Sequence, residues 1–140
     1  MLGIYMNEGW LNDEYLILFS GSEIEDASKK YGIAQTLLGY TVLGLLGWDD
    51  FIVRDPSGKT YSVPTVPIDK KYLKEHKLPQ TVTLEADGRF KEKIKWYVKP
   101  LVFGGDPNDE ENLTWVTHEQ HAQLVVWWNN QYRALKEQNA

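Results

Sequence analysis

The sequence predicts an α+β fold: a mostly antiparallel sheet carrying a short helix from the N-terminal half and a longer C-terminal helix. Three observations point there. Short apolar runs recur between turn residues, at 15–19, 40–46 and 51–54. The tetrapeptide Asp55-Pro56-Ser57-Gly58 separates 51–54 from 59–63, with proline second and glycine fourth, as a type I hairpin turn requires. Near the C-terminus, His121, Leu124, Val125, Trp128, Tyr132 and Leu135 recur at the i, i+3, i+4, i+7 spacing of a helix with one buried face.

In chain order, residues 15–19 (YLILF) read as a short buried strand between Asn12-Asp13 and Ser20-Gly21. Ser22, with Glu25 three residues on, forms a capping-box pattern and starts a helix over 22–31. Ile24, Ala27, Ser28 and Tyr31 share one face of it, and Gly32 suits the left-handed residue that ends it. Residues 33–38 add one further turn before Gly39. A buried strand is expected at 40–46, then a turn at Gly47-Trp48-Asp49-Asp50, then the hairpin. Pro64 and Pro67 confine the chain after the hairpin to an extended or edge segment, and Asp69 caps a short helical stretch through Glu75.

Strands are expected at 81–84 and 94–98, either side of Ala86-Asp87-Gly88. The run 101–103, between Lys99-Pro100 and Gly104-Gly105, reads as one more strand. An acidic loop comes next. Thr117, with Gln120 three residues on, then caps a helix over 117–135 that lies against the sheet.

At 140 residues the chain is expected to form one domain, 1–140, able to bury roughly two-thirds of its unfolded surface without a metal or disulfide staple. The absence of cysteine excludes a disulfide scaffold, cysteine-ligated zinc and a thiol nucleophile, and it suits a reducing cytoplasm. No basic stretch followed by a long apolar core opens the sequence, so no signal peptide is expected. The longest near-apolar run, 42–48, is too short to span a bilayer. A net charge of −5 argues against nucleic-acid binding through phosphates and is compatible with a basic protein partner.

Two blocks carry a family resemblance. The first is LFSGSEIEDASKKYGIAQTLLGYTVLGLLGWDDFIVRD, with a helix after a strand, an LxGY lead into the next strand and a glycine-containing turn beyond it. The second is the ending PLVFGGDP…N…WVTHEQHAQLVVWWN. Together they cover roughly half of the chain, and they resemble the SUKH superfamily of bacterial proteins. The resemblance implies a small α+β immunity protein in the cytoplasm of a toxin-producing cell. Such a protein blocks an incoming effector, often a nuclease or deaminase. Members open with a helical pair bearing an LPxxY motif; here Met6-Asn7-Glu8-Gly9-Trp10 stands before the first expected strand instead.

The chemistry-bearing residues divide between functional and structural readings. His118 and His121 are spaced i, i+3, whereas the HExxH zinc motif needs i, i+4, so a structural role is expected for both. Asp106, Asp109, Glu110 and Glu111 crowd one loop, but the later glycine and bidentate glutamate of a calcium loop are absent. That loop reads either as a solvated approach to a helix N-terminus or as an acidic surface for a basic partner. Trp48, beside Asp49 and Asp50, reads either as a turn residue covering the sheet edge or as an interface anchor rimmed by acids. Trp127 lies at the margin of the helical stripe that holds Trp128, so it either packs under the acidic loop or Phe103, or stands exposed as an anchor.

No phosphate-binding glycine loop and no G-x-S-x-G elbow is present. The expectation is therefore a non-enzymatic inhibitor without metal or cofactor. It would bind a cognate protein toxin, basic at its contact face, through Trp48, Asp49, Asp50, Asp106, Asp109, Glu110, Glu111 and Trp127. The rival expectations are a small enzyme using Asp49, Asp50 and His118, and a phage or secretion-system accessory protein.

Overall fold

Through the first half of the chain, strand follows strand across tight turns or a single short helix, and the sheet they build is an antiparallel meander. A computed structural model describes residues 7–78 and 83–138. Its large sheet runs in the order β1 (Asn7–Leu11), β2 (Glu14–Leu18), β3 (Thr41–Leu46), β4 (Asp50–Arg54), β5 (Thr60–Pro64) and β6 (Lys74–Glu75). A separate two-stranded ribbon joins β7 (Ile94–Tyr97) to β8 (Leu113–Val116). Helices α1 (Ser22–Lys30) and α2 (His118–Gln138) complete an α+β fold, as the sequence predicts. None of the helices in the described residues is long and apolar enough to cross a membrane.

The core follows from strand register. Ile17, Leu45, Phe51 and Val63 are successive cross-strand partners from β2 to β5, and all are buried. Val42 and Val53 form a second buried pair on the same cluster. Ala27 of α1, Tyr31 that caps its C-terminus, Ile33 and Leu37 beyond it, and Ala122 and Val125 of α2 pack against these rows. Ile94 and Trp96 of β7 close the cluster from the ribbon side. Each fully buried aliphatic or aromatic side chain here contributes about 1.5–3 kcal/mol relative to exposure.

Local signals are answered in hydrogen bonds. The 55–58 turn closes with Gly58 N–H on Asp55 C=O at 3.0 Å. Gly32 takes a left-handed φ of 64° and donates to Lys29 C=O, ending α1 where expected. At α2 the capping box is complete: Gln120 N–H donates to Thr117 Oγ1 at 3.1 Å, and Thr117 N–H donates to Gln120 Oε1 at 3.0 Å.

Other expectations are corrected. The Asn12-Asp13 pair is the turn of a hairpin rather than a boundary, closing Leu11 onto Glu14 and adding β1. Asn12 takes φ 58°, a conformation its short polar side chain tolerates. The cap of α1 lies earlier than Ser22: Gly21 is the N-cap residue and Glu23 reaches back to Ser20 N–H at 3.1 Å. Asp69 caps only the single turn Lys70–Tyr72, because Lys74 and Glu75 pair with Ser62 and Tyr61 as β6. Leu101–Phe103 is a 3₁₀ turn between Pro100 and left-handed Gly104, not a strand. The expected strand at 81–84 lies mostly outside the described residues, and β7 pairs with β8 instead.

The buried face of α2 is rotated from the apolar stripe. His121, Ala122, Val125 and Asn129 are its buried residues, whereas Leu124, Trp128 and Tyr132 are half-buried and Leu135 is exposed. Two polar contacts account for the rotation. His121 Nδ1 lies 2.6 Å from Oη of Tyr31, the C-cap of α1. Asn129 accepts from Ile68 N–H at 2.7 Å and donates to Thr65 C=O at 2.8 Å and Val125 C=O at 2.9 Å. Replacing Asn129 by Ala therefore strands a buried N–H and carbonyls. The N129A variant is expected to lose about 3 kcal/mol in urea unfolding with an unchanged m-value. Exposed Gln131→Ala in the same helix is expected to stay within about 0.5 kcal/mol of the wild type.

Candidate functional site

A groove of about 440 Å³ lies between β7, the β3–β4 turn and the two proline-bearing segments at 64–67 and 100–102. The turn supplies its acidic end. Gly47 and Trp48 both have left-handed backbones, with φ of 60° and 64°. For tryptophan such a conformation costs on the order of 1–2 kcal/mol. Aromatic packing holds it there. The Trp48 ring stacks on Tyr15 with centroids 4.8 Å apart, and meets Phe90 and Trp115 edge-on at 5.3 Å each. Trp10 joins the same cluster and donates its indole N–H to Asp87 at 3.0 Å. The buried indole nitrogen of Trp48 has no hydrogen-bond partner among the described residues, so ring packing fixes the residue.

With Trp48 fixed, its neighbours are aimed. Asp49 C=O accepts from Thr65 N–H at 3.0 Å, tying the turn to the opposite wall. The Asp49 carboxylate accepts from Lys95 Nζ of β7 at 2.8 Å, and that ammonium also lies 3.3 Å from Tyr97 Oη. Burial works against the charge on Lys95, but the hydrogen bond and charge of Asp49 outweigh it and raise the pKa. Burial raises the pKa of Asp50, and the charge of Asp49 raises it further. Leu101 and Val102, 46% and 42% exposed, form the apolar end of the groove.

The ribbon shares this surface. Lys95 pairs with Trp115 and Tyr97 with Leu113, so these four side chains lie on one face, opposite buried Ile94 and Trp96. Leu113 and Trp115 are about two-fifths exposed. The loop between Val102 and β8 is held by Asn112, whose Oδ1 accepts from Lys99 N–H at 2.7 Å while its Nδ2 donates to Lys99 C=O at 3.1 Å and Asp106 C=O at 3.3 Å. Gly105 sits so close to the Lys99 carbonyl that a Cβ would lie 1.8 Å from its oxygen, which only glycine allows. Asp106 and Asp109 turn back on the loop, accepting from Asn108 N–H at 2.8 Å and Glu111 N–H at 3.0 Å. Their second oxygens and the carboxylates of Glu110 and Glu111 belong to an exposed rim.

The structure therefore brings Trp48, Asp49 and Asp50 into one groove with Leu101 and Val102, and hangs Asp106, Asp109, Glu110 and Glu111 on the loop after them. Trp127 is placed elsewhere. It is 53% exposed and lines a shallow hollow with Lys30, Glu119 and Val126, while Trp128 takes the contact with Phe103 at 4.8 Å. His118 is also apart, lining a hollow with Phe19, Glu23 and Lys30 against α1. Among the described residues no three His, Asp or Glu side chains gather as a metal-binding group. Sequence reasoning missed Lys95, Tyr97 and Trp115. Alternation in 94–97 and 113–116 marks them as an outward face once the two runs are paired.

His121 is fully buried, perpendicular to the Trp96 indole as well as bonded to Tyr31. Burial, and then the neighbouring charge of His118, push its pKa down to about 3. Burial lowers His118 as well. A histidine near 6.5 when unfolded then binds its proton in the unfolded state first, so acidification favours unfolding. Stability is expected to fall as pH drops from about 6.5 toward 4, with a slope of up to about 1.4 kcal/mol per pH unit from His121 alone. Urea midpoints measured across that window for the wild type and H121Q check this, and the variant should show the flatter dependence.

Compared with protein-family models, with curated proteins and with solved structures, the chain matches none.

Proposed function

We propose that the protein is a non-enzymatic inhibitor of the immunity type. In this reading it binds a cognate bacterial toxin in the cytoplasm of the producing cell and covers the toxin's active site. One observation carries the proposal: exposed apolar side chains, Leu101 and Val102 on the groove and Leu113 and Trp115 on the ribbon, accompany half-buried Asp50 in the groove and the exposed acids of the 106–111 loop. An apolar centre with an aromatic anchor and a charged rim is how protein interfaces divide affinity from steering. The net charge of −5 extends the same sign over the molecule, which favours encounter with a basic active-site face.

The polar groups of the groove support binding over chemistry. Asp49, Lys95 and Tyr97 spend their charges and hydrogen bonds on one another. A catalytic pair would instead converge on a point about 3 Å away where a substrate atom could sit. His118, the base of the rival enzyme reading, lines a different hollow from Asp49 and Asp50.

The test uses the cognate toxin, sought first among the products of neighbouring genes. Reversing charge at Asp109 and Glu110 is expected to slow association by about tenfold at low ionic strength and to flatten its salt dependence. Trp115→Ala is expected to leave association nearly unchanged and to speed dissociation by about thirtyfold, the equivalent of roughly 2 kcal/mol. Trp127→Ala, on the other hollow, separates the two candidate anchors. Protection of cells expressing the toxin should follow the dissociation rates. Unaltered binding and protection in the first two variants would place the contact surface elsewhere.

A further inference from the structure

Among the described residues, one strand edge at the groove has no paired neighbour. Antiparallel ladders exchange hydrogen bonds at every second pair. Val98 N–H donates to Asn112 C=O at 2.8 Å, which makes Trp96/Thr114 and Ile94/Val116 the bonded pairs of the ribbon. The N–H and C=O of Lys95 and of Tyr97 therefore point away from β8, along the edge that lines the groove.

The opposite wall makes no backbone hydrogen bond to them among the described residues, and it is poor in free donors. Pro64, Pro67 and Pro100 carry no N–H. Thr65 spends its N–H on Asp49 and its C=O on Asn129, and Ile68 N–H is held by Asn129 too. The two outer edges of the large sheet are managed differently. Glu85 exchanges both hydrogen bonds with Trp10 on β1, at 2.8 and 2.9 Å, and β6 is two residues long with Glu75 ion-paired to Lys59. Among the described strands, the β7 edge is the one that opens into a groove with acids at one end and exposed aliphatic side chains at the other.

We propose that this edge is the docking track for an extended segment of the partner protein, which adds a strand to β7 and sets a basic side chain against Asp50. Main-chain bonds to Lys95 and Tyr97 give the segment its register, and alternate side chains give it specificity. Apolar side chains of the segment meet Leu101, Val102 and Val66 at the far end. The proposal rests on the inhibitor reading for the identity of the partner, but the track itself is a property of β7.

A library of random linear peptides tests the track without any toxin. Selected peptides are expected to carry Lys or Arg among apolar residues and to slow hydrogen exchange at the Lys95 and Tyr97 amides. N-methylation of alternate backbone nitrogens in a selected peptide should weaken binding to the wild-type protein by about tenfold or more, since each methyl removes an edge hydrogen bond. Asp50→Lys should weaken it similarly. Tyr97→Pro should do the same, because the lost N–H faces the groove and not β8; its unfolding midpoint shows whether the fold is kept. A library that yields no groove ligand, selected peptides that leave both amides unprotected, or indifference to N-methylation would overturn strand addition. If that happens while Trp115→Ala still speeds release of the toxin, the inhibitor reading stands. Peptides seated on β7 with a toxin indifferent to every variant would remove the inhibitor reading and keep the track.

Discussion

Asn129 is the contact on which the arrangement of helix, sheet and groove depends. β5 ends at Pro64 and Pro67 follows three residues on, so the chain does not run on as a paired strand, and its polar groups need partners inside the protein. A single buried amide supplies them, accepting from Ile68 N–H and donating to Thr65 C=O and Val125 C=O. That fixes the height and rotation of α2 over the sheet. Asp69, one residue beyond the clasp, extends it by accepting from Tyr132 Oη at 3.0 Å and Lys136 Nζ at 2.7 Å. Burial opposes the Asp69 charge, but the Lys136, Lys71 and Tyr132 donors prevail and hold its carboxyl below the usual range. The rotation of α2 sets Trp128 half-buried against Phe103 and leaves Leu135 in solvent.

Asn112 repeats the device at the other end of the groove. It bonds both the N–H and the C=O of Lys99, as a neighbouring strand would, just where Pro100 ends the ribbon. Both walls of the groove thus include proline-bearing backbone held by a buried asparagine. β7 lies between them, with one edge that pairs with no other described strand.

What the sequence made legible was local. The 55–58 hairpin, the end of α1 at Gly32 and the capping box at Thr117 each depend on residues within a few positions, and each is where the spacing puts it. What escaped was long-range. Trp10 and Asp87 are 77 positions apart, and neither residue carries a mark of the other. The strands β1 and β8 are short, and only their partners make them strands. The rotated face of α2 escaped for a different reason. An apolar-stripe reading turns asparagine outward, whereas Asn129 is among the most buried residues of the helix because the proline segment requires an amide there. The groove acids, Asp49 and Asp50, were legible as residues beside a tryptophan. Their partner Lys95 was not, because only the turn–ribbon contact brings it near.

Trp48 shows how the two levels meet. As a sequence feature it is an aromatic beside two acids, equally suited to anchoring a partner and to covering a sheet edge. In the structure its ring lies among Trp10, Tyr15, Phe90 and Trp115, and its left-handed backbone is held by that packing. The strain has a geometric return: a turn with two successive left-handed residues swings Asp49 across to β7 and leaves Asp50 half-buried at the mouth of the groove. Asp50 has no cation hydrogen-bonded to it among the described residues, and burial together with Asp49 raises its pKa against the opposing charges of Lys74 and His76. A carboxylate held in that condition is stabilised by an arriving positive charge more than an exposed one would be, because less water has to be displaced and less screening intervenes. The residue that reads as a buried cover thus shapes the acidic end of the groove, while the exposed aromatic contact falls to Trp115 on the ribbon beside it.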